Sequence, residues 1–220
     1  QGKIYRVPMQ SDAGMLYYRK DILEKAGLKP PQTFDELVAA AKAAQKPPDL
    51  WGFVFQGQQY EGLVCDFLEI LWGFGGDVLD ADGKVVLDSP ESVKALEWMA
   101  SLPKSVAPPG STTYQEEECR QVFQDGRAVF MRNWPYAWSL GQKEGSAVRG
   151  KIGIMPMVHA AGGQSAATLG GWGFGISART KQADAAWAFV QFATQAEQQK
   201  LFHQVTGAIP TRHSLFEDAD

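Results

Sequence analysis

Hydrophobic residues along this chain switch between a period of two and a period near 3.6, and the switches mark its elements. Residues 3–8 (KIYRVP) and 15–19 (MLYYR) read as strands separated by a polar turn, Gln10-Ser11-Asp12-Ala13-Gly14. A short helix over 20–26 closes at Gly27. Pro30-Pro31 forces extended chain, and Thr33 with Glu36 then forms a capping box for a helix from Phe34 to about Gln45. Residues 51–55 (WGFVF) make a third strand. Leu63, Val64, Phe67, Leu68 and Leu71 fall at helical spacing, which predicts a helix over 61–73.

Asp80-Ala81-Asp82-Gly83, set between Val78-Leu79 and Val85-Val86-Leu87, reads as a hairpin turn; it lacks the further ligands of a calcium loop. Ser89-Pro90 caps and opens a helix to about Leu102, and a second helix over 114–125 stops at Gly126. Residues 127–131 form a strand that delivers Asn133-Trp134-Pro135-Tyr136-Ala137-Trp138. Residues 151–155 form another, and the Gly-rich run 169–177 (LGGWGFGIS) reads as a strand approached closely by something else. Helices follow over 183–193 and 196–205, the second with a capping box of Thr194 and Glu197 and a cap at Gly207. Strands and helices alternate without internal repeats, which predicts an α/β fold with a largely parallel sheet.

Composition narrows function mostly by exclusion. A net charge of -4, with Lys and Arg scattered, argues against a nucleic-acid footprint. No apolar run approaches bilayer-spanning length. Cys65 and Cys119 are too few for a disulfide scaffold and lack metal-ligand spacing; a single bridge or two buried thiols both fit. His159, His203 and His213 also lack ligand spacing, and no nucleophile-elbow, zinc-protease or phosphate-loop motif occurs. Glu116-Glu117-Glu118 reads as a solvated helix start favoured by the dipole. Nothing here calls for a metal, a cofactor or catalysis.

The seven tryptophans change the picture, because several lie beside Gly, Pro and Asn rather than in periodic apolar runs. Trp134 and Tyr136 flank Pro135 at a strand's carboxyl end, where ligand crevices form in open sheets. Flat rings suit the C–H faces of sugars, and Tyr O–H and Trp N–H can bond hydroxyls. The competing reading, a packed core or staple ring, fits Trp138. Gly170, Gly171 and Trp172 form a second such place, where glycine lets backbone approach a ligand; a strand crossing tightly under a helix is the alternative. Asp12 is the best carboxylate for hydroxyls, although an Asx turn fits equally well. Gln10, Gln58, Tyr60 and Arg212 are weaker candidates.

The run Gln10 to Asp21, the segment Pro31 to Leu37, the sequence Asn133 to Trp138 and Thr206-Gly207-Ala208-Ile209-Pro210 together resemble the extracellular solute-binding proteins of ABC sugar importers, above all the trehalose/maltose-binding branch. The resemblance covers essentially the whole chain. It implies a two-lobed α/β clamp of the periplasmic-binding-protein type, here incomplete because family members are much longer. By analogy residues 1–11 are a hinge strand, 12–156 most of the C-terminal lobe, 157–206 a segment of the N-terminal lobe, and 207–220 a return into the C-terminal lobe. Asp12 then becomes a hydroxyl acceptor beside the hinge, with Trp134, Tyr136, Gly171 and Trp172 lining the cleft. Family members often carry an aromatic residue where this chain has Gln10, which leaves sugar preference open.

The expectation is reversible, non-enzymatic binding of an oligosaccharide, an α-linked disaccharide such as trehalose or maltose. The protein would be a periplasmic or otherwise extracytoplasmic monomer, anchored as a lipoprotein outside this segment, and its partners would be the permease subunits of an ABC importer, with no nucleic acid. A glycerol phosphodiester ligand, a carbohydrate-active enzyme and a surface structural protein are the alternatives; a phosphate would want more cations than Arg212 alone.

Overall fold

A computed structural model describes residues 2–218, which divide into two compact units, 14–168 and the remainder. In chain order the elements are β1 (Val7–Gln10), β2 (Met15–Arg19), α1 (Lys20–Ala26), α2 (Phe34–Ala44), β3 (Trp51–Val54), α3 (Glu61–Gly73), α4 (Pro90–Ser101), α5 (Glu116–Gln124), β4 (Ala128–Asn133), α6 (Tyr136–Gly141), β5 (Ile152–Met155), β6 (Trp172–Phe174), α7 (Ala183–Ala193) and α8 (Ala196–Thr206).

The larger unit is built on a four-stranded sheet in the order β3-β4-β2-β5. Only β3 and β4 run parallel, while β2 is antiparallel to both β4 and β5, so the largely parallel sheet predicted above gives way to a mixed one. Element alternation counts crossovers; it carries no information on strand direction once loops as long as 74–89 intervene. Local signals fare better. Gly27 adopts the left-handed conformation and stops α1, and Thr33 and Glu36 form the reciprocal capping box. Ser89 caps α4 with Pro90 in its first turn. The turn at residues 80–83 closes through Asp80 and a left-handed Gly83.

β4 is the structural axis. It lies between two partners, all six of its residues are buried, and Val129, Phe130 and Met131 each add about 1.5–3 kcal/mol of burial. Phe53, Phe130, Leu16, Leu37 and Leu71 extend this core between the sheet and α2–α3, with Phe34 stacked on Phe74 at 4.5 Å. A second cluster, Tyr17, Phe123, Met131 and Ile152, packs beneath α5.

The smaller unit pairs β1 with β6 antiparallel and carries α7 and α8. β1 starts at Val7 rather than Lys3, and the strand expected over 169–177 shortens to three residues, with Leu169 making only an isolated bridge to Ala13. The Thr194 capping box does not form: that hydroxyl donates to the Val190 carbonyl at 2.8 Å, and Gln195 takes the N-cap position of α8. A β-hydroxyl at a helix end has a competing acceptor one turn back.

Inside the larger unit, the guanidinium of Arg132 and the carboxylate of Glu69 are both buried and doubly hydrogen-bonded to each other. They lie directly against the backbone of Gly14, where any Cβ would collide with Glu69 Oε1 and Arg132 Nη2. Neither partner can withdraw without abandoning the other. Gly14→Ala is therefore expected to cost about 3 kcal/mol of stability, read as a lowered urea midpoint at unchanged slope.

Candidate functional site

Two polar clusters emerge, one in each unit. In the larger unit the chain leaves β4 through Asn133. Its Oδ1 accepts from the Trp134 amide at 2.8 Å, and its Nδ2 donates to the Glu116 carbonyl at 3.1 Å. The Tyr17 hydroxyl donates to the Trp134 carbonyl at 2.7 Å. The backbone at Trp134 is thus held from both sides.

The ring is held as well. The Arg132 guanidinium lies 4.0 Å from the centroid of the Trp134 ring, covering one face as a cation–π partner. The indole N–H donates to Glu116 Oε1 at 3.2 Å, and the Tyr60 hydroxyl donates to Glu116 Oε2 at 2.7 Å. Tyr136 donates to Glu117 at 2.6 Å, and Arg120 grips that same carboxylate. Trp134, Tyr136 and Tyr60 are all half-buried, so none is sealed in the core. Burial first, then the adjacent carboxylate, pushes both phenols well above the ordinary tyrosine range, which keeps them neutral donors.

Arg132 is the hub beneath. Besides Glu69 it donates to Gln56 Oε1 at 3.2 Å, while Gln56 Nε2 returns to the Arg132 carbonyl at 3.1 Å. Asp66 Oδ1 stands 3.0 Å from Arg132 Nε, but that N–H is directed at Glu69 Oε2, so proximity here is not a hydrogen bond. Burial pushes Asp66 well above the carboxylate range; Arg132 opposes this, and the Glu69 charge adds to it.

In the smaller unit, Gln10 Nε2 donates to Asp12 Oδ2 at 2.6 Å, and the Gly170 amide donates to the Asp12 carbonyl at 3.0 Å. Asp12 is only 7% exposed, and its Oδ1 is buried without a hydrogen-bond partner. Gly171 sits at a φ of +99°, and a Cβ there would strike the Gln10 carbonyl. This close approach sets Trp172 opposite Gln10 in the β1–β6 ladder with its side chain 67% exposed. Asp12, Gln10, Gly170, Gly171 and Trp172 thus form one local group. Arg212 stands apart from it, its Nε donating to the Thr194 carbonyl at 2.5 Å and its amide to Gln199. Gln58, in the larger unit, is placed by its amide on the Tyr114 carbonyl at 3.1 Å.

Residues 1–200 match the family of bacterial extracellular solute-binding proteins. The chain belongs to this family.

Among relatives of this solute-binding chain, a probable ABC transporter-binding protein of Deinococcus radiodurans is 43% identical over 226 residues, covering 100% of the chain and 54% of the relative. Maltose-bound MalE3 of T. maritima superposes with a TM-score of 0.95 at 51% identity, covering 99% of this chain and 57% of that one. A solute-binding protein from Agrobacterium vitis S4 with bound D-mannitol superposes at 0.90 with 29% identity, covering 100% and 55%. The chain therefore spans about half the length of these relatives. Its mixed α/β fold is that of the two-lobed solute-binding proteins, spanned in part, and the family is extracytoplasmic. Among the described residues, no helix is long and apolar enough to cross a membrane.

Several expectations change. Glu116-Glu117-Glu118 is no merely solvated helix start, since Glu116 and Glu117 hold three aromatic side chains and Glu118 accepts the Gln115 amide. Trp138 is 39% exposed rather than a core ring, because the short α6 buries only Ala137 and Gly141. Cys65 and Cys119 are free buried thiols; burial, then Glu61, pushes Cys65 up to about 12, and burial pushes Cys119 well above the ordinary range. The residues missed altogether are Arg132, Glu69, Asp66 and Gln56, and Asn133 is read only as the start of its motif. Of these only Arg132 gives a signal, as a cation directly following the apolar run 128–131.

Burial raises the Asp12 pKa above its ordinary 3.8, with Gln10 opposing. The folded chain thus keeps this proton to higher pH than the unfolded chain. Stability from this group is full below the unfolded value and is lost as pH rises through the folded one. Asp12→Asn should therefore be more stable than the parent at pH 7, with a flatter stability profile between pH 4 and 7 in urea titrations. A less stable variant at pH 7 would contradict this account.

Proposed function

We propose that this chain carries part of the ligand site of an ABC importer's solute-binding protein, which captures a saccharide reversibly outside the cytoplasm and delivers it to membrane permease subunits. The observation that carries the reading is the state of the aromatic groups. Trp134 is clamped on one face and at its edge yet half-open, and Trp172 is exposed beside a carboxylate with one unpartnered oxygen. Rings held this way offer flat apolar surface to sugar C–H groups, and Asp12 Oδ1 offers a charged acceptor to a hydroxyl.

The ligand inferred is an α-linked disaccharide such as maltose or trehalose, supported by likeness to the maltose-bound MalE3. A polyol is the second reading, because relatives at lower identity are named as mannitol-binding or carry bound D-mannitol or ribitol. Gln10, in hydrogen bond with Asp12 and opposite Trp172, favours this second reading by adding a polar group beside that ring. Binding without turnover is inferred because the named relatives are binding proteins.

Isothermal titration of the whole protein with maltose, trehalose and D-mannitol tests the proposal. Because Trp172 is exposed, Trp172→Ala should fold normally and lose about tenfold or more in affinity, the scale expected for an aromatic contact of this kind. Parent-like affinity in that variant would remove Trp172 from the site.

A further inference from the structure

The indole N–H of Trp134 and the phenol O–H of Tyr60 both point at one carboxylate, that of Glu116. The three residues come from different places: Tyr60 precedes α3, Trp134 follows β4, and Glu116 opens α5. The Glu116 main chain is tied to the same segment, its carbonyl accepting from Asn133 Nδ2 at 3.1 Å. Gly62 keeps room for the Tyr60 ring, since a Cβ there would collide with the phenol.

The Arg132 guanidinium covers the face of Trp134 but sets no direction for its N–H edge, which is left to the side-chain torsions, because a cation over a π face has no directional bond to the ring edge. The N–H bond to Glu116 Oε1 removes that freedom. The second oxygen does the same for the tilt of Tyr60.

Resting on the saccharide-capture reading, we propose that Glu116 is the positioning residue of this platform. It acts through Trp134 and Tyr60, setting the angle at which their faces are presented, and so governs which saccharides or polyols can lie against them. The polar edges of these two rings are satisfied within the protein, so the rings offer a ligand their faces and leave hydroxyl recognition to other groups.

The test compares the parent, Glu116→Gln and Glu116→Ala in the whole protein, with maltose and D-mannitol as probes. Acrylamide quenching of Trp134 is obtained by difference from the Trp134→Phe form of each protein. Glutamine keeps an oxygen for the indole N–H, and its amide can donate to the Tyr60 oxygen, so Glu116→Gln should retain parent-like affinity and quenching. Alanine should lose about tenfold in affinity, the scale of a hydrogen bond to a charged group, and make Trp134 more quenchable. A lower melting temperature in Glu116→Ala, with affinity and quenching unmoved in the folded range, overturns the proposal. So does a glutamine variant as impaired as alanine, which would show that charge rather than placement matters. Should the parent bind neither probe, the saccharide reading falls, and the quenching comparison alone still decides whether Glu116 positions the ring.

Discussion

The larger unit is organised around a single buried cation. Removing Arg132 from water is costly, and the cost is offset by the paired contacts to Glu69, the bond to Gln56, the nearby Asp66 and the face of Trp134. Glu69 and Asp66 sit on α3 and Gln56 follows β3, so the guanidinium ties α3, the stretch after β3 and the sheet into one geometry. The Glu69 carboxylate also accepts from the Thr168 amide at 3.0 Å, which secures the far end of the same unit. Burial, opposed by the guanidinium, pushes the Asp66 carboxyl well above the ordinary carboxylate range. A network this dense specifies arrangement more than it adds stability, and the arrangement it specifies is the floor under Trp134.

The two polar clusters differ in what they leave undone. Around Trp134 almost every donor is matched within the protein: the indole N–H, both tyrosine hydroxyls and the Asn133 amide all have acceptors. Around Asp12 one carboxylate oxygen is not matched, in a protein where buried polar atoms usually are. On the proposed reading, Asp12 would be the open hydroxyl acceptor of its unit, and the Trp134 group would offer shape and apolar area in the other.

Much of the fold was legible because its signals are local. Gly27, the Thr33–Glu36 pair and Ser89-Pro90 each act within a few residues of themselves, and the elements they bound appear where expected. What failed depended on distant partners. Strand direction in the sheet is set by which edges meet, and the Thr194 hydroxyl was taken by a carbonyl that no capping motif advertises. The aromatic candidates were legible from their Gly and Pro neighbours, whereas the groups that hold them were not. Arg132 and Glu69 are 63 positions apart, and Trp134 and Glu116 are 18 apart with a helix and a strand between. Nothing in local pattern couples them; only the sheet register does.

The close pairing of β1 with β6 has a thermodynamic consequence for whatever meets Asp12 and Trp172. These residues are 160 positions apart, yet Gly171 lets the two chain segments come close: Trp172 pairs with Gln10 in a short ladder, and just beyond it the Gly170 amide holds the Asp12 carbonyl. Their main-chain freedom is therefore surrendered when the chain folds, long before a solute arrives. The entropy of association then falls mainly on the incoming molecule, so a stiff ring should gain more from this corner than a floppy open chain offering the same hydroxyls.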